Sequence, residues 1–224
     1  MPDNPSFWQF SLETIIPRLT EGLTLTLELT LLSGLFGIAL GLFISLVRLT
    51  NHPVLANLAR AYVALFRGTP LLLQILFAYF ALPGLLDIRL EAFTAGVLAL
   101  SLNCAAYLAE IFRAAISSIP KGQWEAAKAM GFRYASTLFL IILPQAFKRL
   151  IPPVVNELAS LAKDTSLVSV IALSETLYIT QRLGAKYLRP WEVYAWAALG
   201  YLLIVITLST VANILEKRLS FGDK

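Results

Sequence analysis

Residues 125–144 read EAAKAMGFRYASTLFLIILP, a polar start rich in helix-forming residues that passes into an apolar end. Pro120 before this stretch and Gly131 inside it predict a short helix that begins near the proline and closes on a glycine C-cap. Apolar segments of membrane length lie on both sides, so we expect the short helix to lie along the membrane surface. There we expect it to present Trp124, Glu125 and Lys128 to something other than lipid.

The composition of the whole chain indicates a membrane protein. Of its 224 residues, 58% are hydrophobic and 14% are charged, and the mean hydropathy is +0.72, which leaves too few polar side chains to cover a water-soluble globule. The single cysteine, Cys104, and the single histidine, His52, exclude a disulfide framework and a thiolate or histidine metal site. The net charge of +4 comes from basic residues scattered in loops, which argues against nucleic acid as a partner.

Five apolar segments are long enough to cross about 30 Å of hydrocarbon as helices, and they make residues 1–224 a single transmembrane domain. They cover, approximately, residues 23–47, 60–82, 92–112, 145–162 and 191–214. The N-terminal residues lack the features of a cleaved signal peptide, so we expect the first span to act as the insertion signal. Lys and Arg are more numerous on the loops that share a side with the C-terminus, which predicts a cytoplasmic C-terminus, an outer N-terminus and a cytoplasmic loop over about residues 118–144.

Small residues and a proline mark the first two spans. The first span carries small side chains at four-residue spacing, namely Ser33, Gly37, Gly41 and Ser45. Such a helical face lets another backbone approach closely, which favours helix packing over lining of a pathway. In the second span, Pro70 removes a backbone donor and Gly68 adds freedom, so we expect the helix to break there.

Polar side chains share one face of the third span. Asn103, Tyr107 and Glu110 follow each other at spacings of four and three residues, and Arg113 lies one turn beyond Glu110. A carboxylate at membrane depth is costly unless it faces a partner or a wet cavity. We therefore expect Glu110 and Arg113 to pair near the cytoplasmic surface, whereas Asn103 and Tyr107 lie deeper and are candidates for contact with a solute.

The fourth span begins in an interrupted way, at Pro152-Pro153, and carries its own polar stripe. The stripe consists of Asn156, Ser160, Lys163 and Asp164, with Glu157 adjacent to it. Transporters hold hydrophilic solutes with broken helices and polar groups near the bilayer midplane, and interhelical hydrogen bonds with a Lys163–Asp164 ion pair are an equally weighted alternative. The candidate solute-binding residues are Asn103, Tyr107, Asn156, Glu157 and Ser160.

The spacing of the loop residues resembles a known family, the permease subunits of binding-protein-dependent ABC importers. The cytoplasmic loop of these subunits carries Glu-Ala-Ala, then Gly, then Ile-x-Leu-Pro, which this sequence matches with Glu125-Ala-Ala, Gly131 and Ile141-Ile-Leu143-Pro144. The resemblance implies that the loop contains the coupling helix, which docks in a groove of the ATP-hydrolysing subunit. The residues that it assigns to ATPase coupling are Trp124, Glu125, Ala126, Ala127 and Gly131.

Other stretches resemble the polar amino acid branch of that family, most clearly Arg67-Gly-Thr-Pro70 followed by Leu71-Leu-Leu-Gln74. The resemblance implies an all-α polytopic membrane protein with the type I ABC importer permease fold, in the bacterial inner membrane, that imports polar or charged L-amino acids as a dimer. It implies four partners: a dimer of ABC ATPase subunits, a second permease copy or close paralogue, an extracytoplasmic amino acid-binding protein and membrane lipid. ATP and magnesium are expected on the ATPase, and no cofactor, metal or enzymatic activity is expected in this chain.

Three rival classes of protein fit the sequence less well. An intramembrane enzyme needs a nucleophile with a base, paired catalytic aspartates or a metal cluster, and this composition offers little of that kind. A self-sufficient ATP-driven pump needs a Gly-x-x-x-x-Gly-Lys-Ser/Thr phosphate loop, which is absent from the sequence. An ion-coupled secondary transporter or a small channel subunit is the alternative, although five spans make half of a usual pathway and neither has a use for the cytoplasmic motif.

Overall fold

The computed structural model describes residues 6–50 and 52–220, and this part of the chain contains helices and no β-strand. The helices are α1 (Phe7–Arg48), α2 (Pro53–Gly68), α3 (Leu71–Leu86), α4 (Ala92–Ser117), α5 (Lys121–Ala129), α6 (Tyr134–Ile171), α7 (Thr176–Tyr187) and α8 (Pro190–Ser220). Short π-helical turns lie within α1, α3 and α6, and α6 ends as a 3-10 helix over Thr165–Ile171. The predicted all-α fold is confirmed.

Among the described residues, four helices are long and apolar enough to cross a membrane, namely α1, α4, α6 and α8. Helices α2 and α3 pass the same test only as a pair, and they are bent by 105° at the residues between them. The break expected at Pro70 is therefore confirmed. Thr69, which precedes the proline, is extended, with φ −117° and ψ 148°, because the proline ring disfavours a helical conformation of the residue before it.

Helix α1 begins at Phe7, well before the apolar segment predicted from about residue 23. Its first turns are held by packing against the start of α8. The ring of Phe7 stacks on that of Trp191 with centroids 5.5 Å apart, and Phe10 is buried in a cluster with residues of α7 and α8. Hydropathy detects the apolar part of this helix, whereas the earlier turns owe their order to tertiary contacts.

The small face of α1 packs directly against α4. A Cβ atom added to Gly37 would lie 2.8 Å from Sγ of Cys104, and one added to Gly41 would lie 2.9 Å from the carbonyl oxygen of Ala105. Ser33, one turn earlier, is fully buried. The predicted packing face is confirmed, and α1 and α4 form the central pair around which the other helices lie.

Candidate functional site

The break between α2 and α3 is held by two side-chain amides. Gln74 Nε2 donates to the carbonyl oxygen of Phe66 at 2.9 Å and to that of Thr69 at 3.1 Å. Asn103 Nδ2, from α4, donates to the same Phe66 oxygen at 3.2 Å and to Gln74 Oε1 at 3.0 Å. Backbone carbonyls without a helical partner are costly at membrane depth, so these bonds satisfy groups that the break exposes.

A polar cavity of about 340 Å³ lies beside this break, where α3, α4 and α6 meet. Its lining consists of Thr69, Pro70, Leu71, Asn103, Tyr107, Glu157, Ser160 and Asp164. Four of the five candidate solute-binding residues are thus brought together, two from α4 and two from α6. The polar faces of the third and fourth spans meet in one cavity, which is the geometry that a shared solute site requires.

Two residues of the polar stripe on α6 lie elsewhere than expected. Asn156, the fifth candidate, is exposed and does not line the cavity, because one residue along a helix turns the side chain by about 100° away from Glu157. Asp164 lines the cavity, while Lys163 is exposed. The ion pair considered for these two residues is not among the salt bridges within 4 Å of the described residues. Asp164 lies four residues after Ser160, and this spacing is the signal that places it on the cavity face.

Arg67 brings a positive charge to the same region. Its Cζ atom lies 5.1 Å from the centroid of the Tyr107 ring, in a cation–π contact, and Tyr107 lines the cavity. With Glu157 and Asp164 in the lining, the site combines two carboxyl groups with a nearby guanidinium. Ionisable groups inside a membrane protein face partners or wet cavities, so this arrangement suits a solute that carries charges of both signs.

The short helix α5 lies in the loop between α4 and α6, as the sequence predicts. It spans Lys121–Ala129, and the chain then turns at Gly131, whose φ of +83° confirms the glycine C-cap. Glu125 and Ala126 are exposed. Together with Gly131, which is also exposed, these residues are the part of the predicted coupling motif that an approaching protein can reach.

Trp124 packs against the protein itself. Its side chain is half-buried and stacks on Tyr134 at the start of α6, with ring centroids 5.4 Å apart and planes 23° from parallel. Ala127, one turn further along α5, is 2% exposed. The large apolar area of the indole is better buried than left in water, so Trp124 and Ala127 attach α5 to the rest of the protein.

Two polar contacts connect the loop to α6. Arg149 Nη1 donates to the carbonyl oxygen of Ser118, at the end of α4, at 2.7 Å and to Ser118 Oγ at 3.0 Å. Gln145 Nε2 donates to Gln123 Oε1 on α5 at 3.3 Å. These contacts join α6, the helix that also carries Glu157 and Asp164, to α5 and to the end of α4.

The predicted pair of Glu110 and Arg113 is confirmed, and a third residue joins it. Arg113 Nη2 lies 2.8 Å from Glu110 Oε2, while Arg48 Nη1 donates to Glu110 Oε1. Arg48 is the last residue of α1. A basic side chain at the end of an apolar span is the only feature of the sequence that points to it as a partner for Glu110. The cluster joins α1 and α4 next to the loop that contains α5.

Known proteins resemble this chain over nearly its whole length. Residues 35–221 match the family model described as "Binding-protein-dependent transport system inner membrane component". The chain is 40% identical over 208 residues to the arginine transport system permease protein ArtQ of Bacillus subtilis, covering 93% of this chain and 95% of that one. It is 41% identical over 213 residues to the L-cystine transport system permease protein TcyB of the same organism, covering 95% and 91%. A crystal structure of an amino acid ABC transporter with histidines superimposes with a TM-score of 0.89 at 34% identity, over 96% of this chain and 99% of that one.

Proposed function

Because this chain belongs to the family of inner membrane components of binding-protein-dependent transport systems, we propose that it is the permease subunit of an ATP-driven importer of polar or charged L-amino acids. Relatives named for arginine and L-cystine transport, similar over nearly their whole length, support that substrate class. Two permease copies, or this chain and a close paralogue, enclose the pathway. A separate pair of ABC ATPase subunits binds ATP and magnesium, and an extracytoplasmic binding protein delivers the solute.

The observation that carries this proposal is the polar cavity beside the broken span. Its volume of about 340 Å³ falls in the range of small-molecule sites. The carboxyl groups of Glu157 and Asp164 are suited to the ammonium group or a cationic side chain of an amino acid, and the Arg67 guanidinium is suited to its carboxylate. Asn103, Tyr107 and Ser160 complete the polar lining.

Coupling to ATP hydrolysis is assigned to the loop that contains α5. Glu125 and Ala126 form the exposed surface for the ATPase, while Trp124 and Ala127 hold the helix in place and Gly131 provides the turn. The contacts of Arg149 and Gln145 with this loop then carry its movement to α6. We place this loop in the cytoplasm, with the N-terminus outside and the C-terminus inside, on the distribution of basic residues.

The test is reconstitution of the permease with an ABC ATPase and a binding protein in proteoliposomes, followed by uptake of a panel of labelled amino acids. We expect uptake only when ATP is present on the side of the membrane where the ATPase subunits lie. Uptake should be strongest for amino acids with a positive charge on the side chain. The permease is also reconstituted alone, under an imposed proton or sodium gradient. Uptake by that preparation, without the ATPase, would overturn the proposal in favour of an ion-coupled secondary transporter.

A further inference from the structure

A charged groove of about 530 Å³ lies at the end of the molecule far from the coupling loop. Its lining consists of Arg18, Glu21, Ser174, Tyr178, Ile179, Arg182, Leu183 and Lys186. Arg18 precedes Arg48 by thirty residues of the same helix, α1, which is about 45 Å at 1.5 Å per residue. Since Arg48 contacts Glu110 at the loop end of α4, the groove opens at the opposite end of α1 and, in the proposed orientation, on the outer side.

Three basic side chains in the groove face one acidic side chain. Arg18 Nη1 lies 3.6 Å from Glu21 Oε2, and both side chains are more than half exposed, at 64% and 63%, so water and salt screen this pair. The Cζ atom of Arg182 lies 5.7 Å from the centroid of the Tyr178 ring. Neither Arg182 nor Lys186 forms a salt bridge within the described part of the chain, so the groove carries a net positive charge.

The positive charge of this groove differs from the usual distribution of basic residues in membrane proteins. Lys and Arg near the ends of spans are enriched on the cytoplasmic side and depleted outside. The positive-inside rule therefore does not explain why Arg18, Arg182 and Lys186 lie together on the outer side, and a binding role would explain it. Arginine and tyrosine are also enriched in surfaces that bind other proteins, and both types line this groove.

The helix that forms one wall of the groove is firmly held. Glu175, at the start of α7, is fully buried and accepts hydrogen bonds from the backbone N–H of Leu177 at 2.9 Å and of Tyr178 at 2.8 Å. A Cβ atom added to Gly22 of α1 would lie 2.8 Å from Cα of Thr176. With the backbones of α1 and α7 in such close contact, the helix positions that carry the charged side chains are fixed relative to one another.

The groove is also close in sequence to the solute cavity. Asp164 lines the cavity, the chain continues as the 3-10 turn Thr165–Ile171, and Ser174 then lines the groove. A protein that presses on α7 therefore acts on a segment whose other end carries a cavity residue. This connection favours a partner whose binding must be sensed by the pathway.

We propose that this groove is the docking surface for an acidic patch on the extracytoplasmic binding protein. The inference rests on the proposed function and names a contact surface of the partner that the function requires. Charge complementarity of this kind raises the association rate and selects the partner. Arg18, Arg182 and Lys186 bind carboxylates of the binding protein, and Glu21 excludes surfaces that present an acidic group at its position.

The experiment uses the complete complex of permease and ATPase in vesicles of phosphatidylcholine, with ATPase rate measured against the concentration of solute-loaded binding protein. For Arg182→Glu/Lys186→Glu we expect the half-saturating concentration of binding protein to rise by about tenfold or more, and its dependence on salt to weaken. The milder Arg182→Gln/Lys186→Gln should shift it less, in the same direction. The matched control is Arg89→Glu, an exposed basic residue between α3 and α4 outside the groove, which should leave the half-saturating concentration unchanged.

Thermal melts of all variants check that each is folded. Equal half-saturating concentrations for the wild type and both double variants would overturn the docking surface while leaving the proposed function intact. A shift that appears only when phosphatidylglycerol is added to the vesicles would assign the groove to anionic lipid and would overturn it as well. A wild-type complex that no amino acid-binding protein stimulates would instead overturn the proposed function, and this inference with it.

Discussion

Asn103 on α4 donates a hydrogen bond from its side-chain amide to the backbone carbonyl of Phe66, 3.2 Å away in the last turn of α2 before the helix break. The same amide also donates to Gln74 Oε1 at 3.0 Å, and Asn103 lines the polar cavity. One residue therefore supports the open backbone of the second span and contributes to the wall of the candidate solute site. A change at Asn103 is therefore expected to affect both the helix break and the shape of the cavity.

We predict that Asn103→Ala lowers the free energy of unfolding by about 1 kcal/mol, because two hydrogen bonds are lost while Gln74 still serves the Phe66 carbonyl. The matched control is Asn156→Ala, an exposed asparagine outside the cavity, for which we expect a change within about 0.5 kcal/mol. Thermal melts of the purified protein in detergent measure both. Similar losses in the two variants would show that the bond to Phe66 does not hold the break.

We predict that Glu157→Gln weakens uptake of amino acids with a cationic side chain. Loss of a charge-assisted hydrogen bond is worth about 1.5 to 3 kcal/mol, or roughly ten- to a hundredfold in affinity. The measurement is the concentration dependence of uptake by the reconstituted complex, with Asn156→Ala as the control. Unchanged affinity and selectivity in a variant that is expressed and coupled normally would remove Glu157 from the solute site.

The coupling loop yields a prediction about the ratio of transport to ATP hydrolysis. Glu125→Lys should uncouple the two, because it reverses the charge on the exposed face of α5. Gly131→Ala should weaken coupling through strain, since a φ of +83° costs an L-residue about 1–2 kcal/mol. The matched control is Gly122→Ala, where nothing lies within 4 Å of the added methyl group, and it should transport normally. Wild-type coupling in Glu125→Lys and Gly131→Ala would exclude the assigned role.

The orientation predicts which side of the membrane reaches each end of the molecule. A cysteine in place of Lys121 should react with a membrane-impermeant maleimide only from the cytoplasm, and one in place of Lys186 only from outside. Native Cys104 should react slowly, because it is 1% exposed. Labelling in the reverse pattern would invert the topology and move the groove at α7 to the cytoplasm.

Glu175 predicts a dependence of stability on pH. Burial raises the pKa of its carboxyl, although bonds from the hydroxyl of Tyr201 and from two backbone N–H groups oppose the shift. The folded protein then holds the proton more tightly than the unfolded chain, whose glutamate pKa is about 4.3. The stabilising contribution is full below that pH and is lost as the pH rises through the raised folded-state pKa. We expect the melting temperature of Glu175→Gln to fall less over this interval than that of the wild type, and equal slopes would contradict the assignment.

Much of the fold and of the coupling loop follows from short-range patterns in the sequence. Hydropathy identifies the apolar helices, Pro70 predicts the break, and Gly131 predicts the turn that its positive φ confirms. The spacing of three residues between Glu110 and Arg113 places them within reach on one helix, and they pair as predicted. These features depend on backbone chemistry and on helical periodicity, which the sequence by itself determines.

Other features were decided only by the tertiary structure. Periodicity shows that Asn103 and Tyr107 share a face, but not that this face meets Glu157 and Ser160 of another helix across a cavity. It places Asn156 in the polar stripe, but only the fold shows that the cavity lies over Glu157, Ser160 and Asp164 and leaves Asn156 exposed. Three further features likewise depend on contacts between different helices. They are the ordering of α1 from Phe7, the addition of Arg48 to Glu110 and the burial of Trp124 against Tyr134. The physical reason is that the sequence shows which polar or aromatic side chains need a partner, because an unpaired polar group or an exposed aromatic ring costs free energy. Which residue becomes that partner depends on how the helices pack.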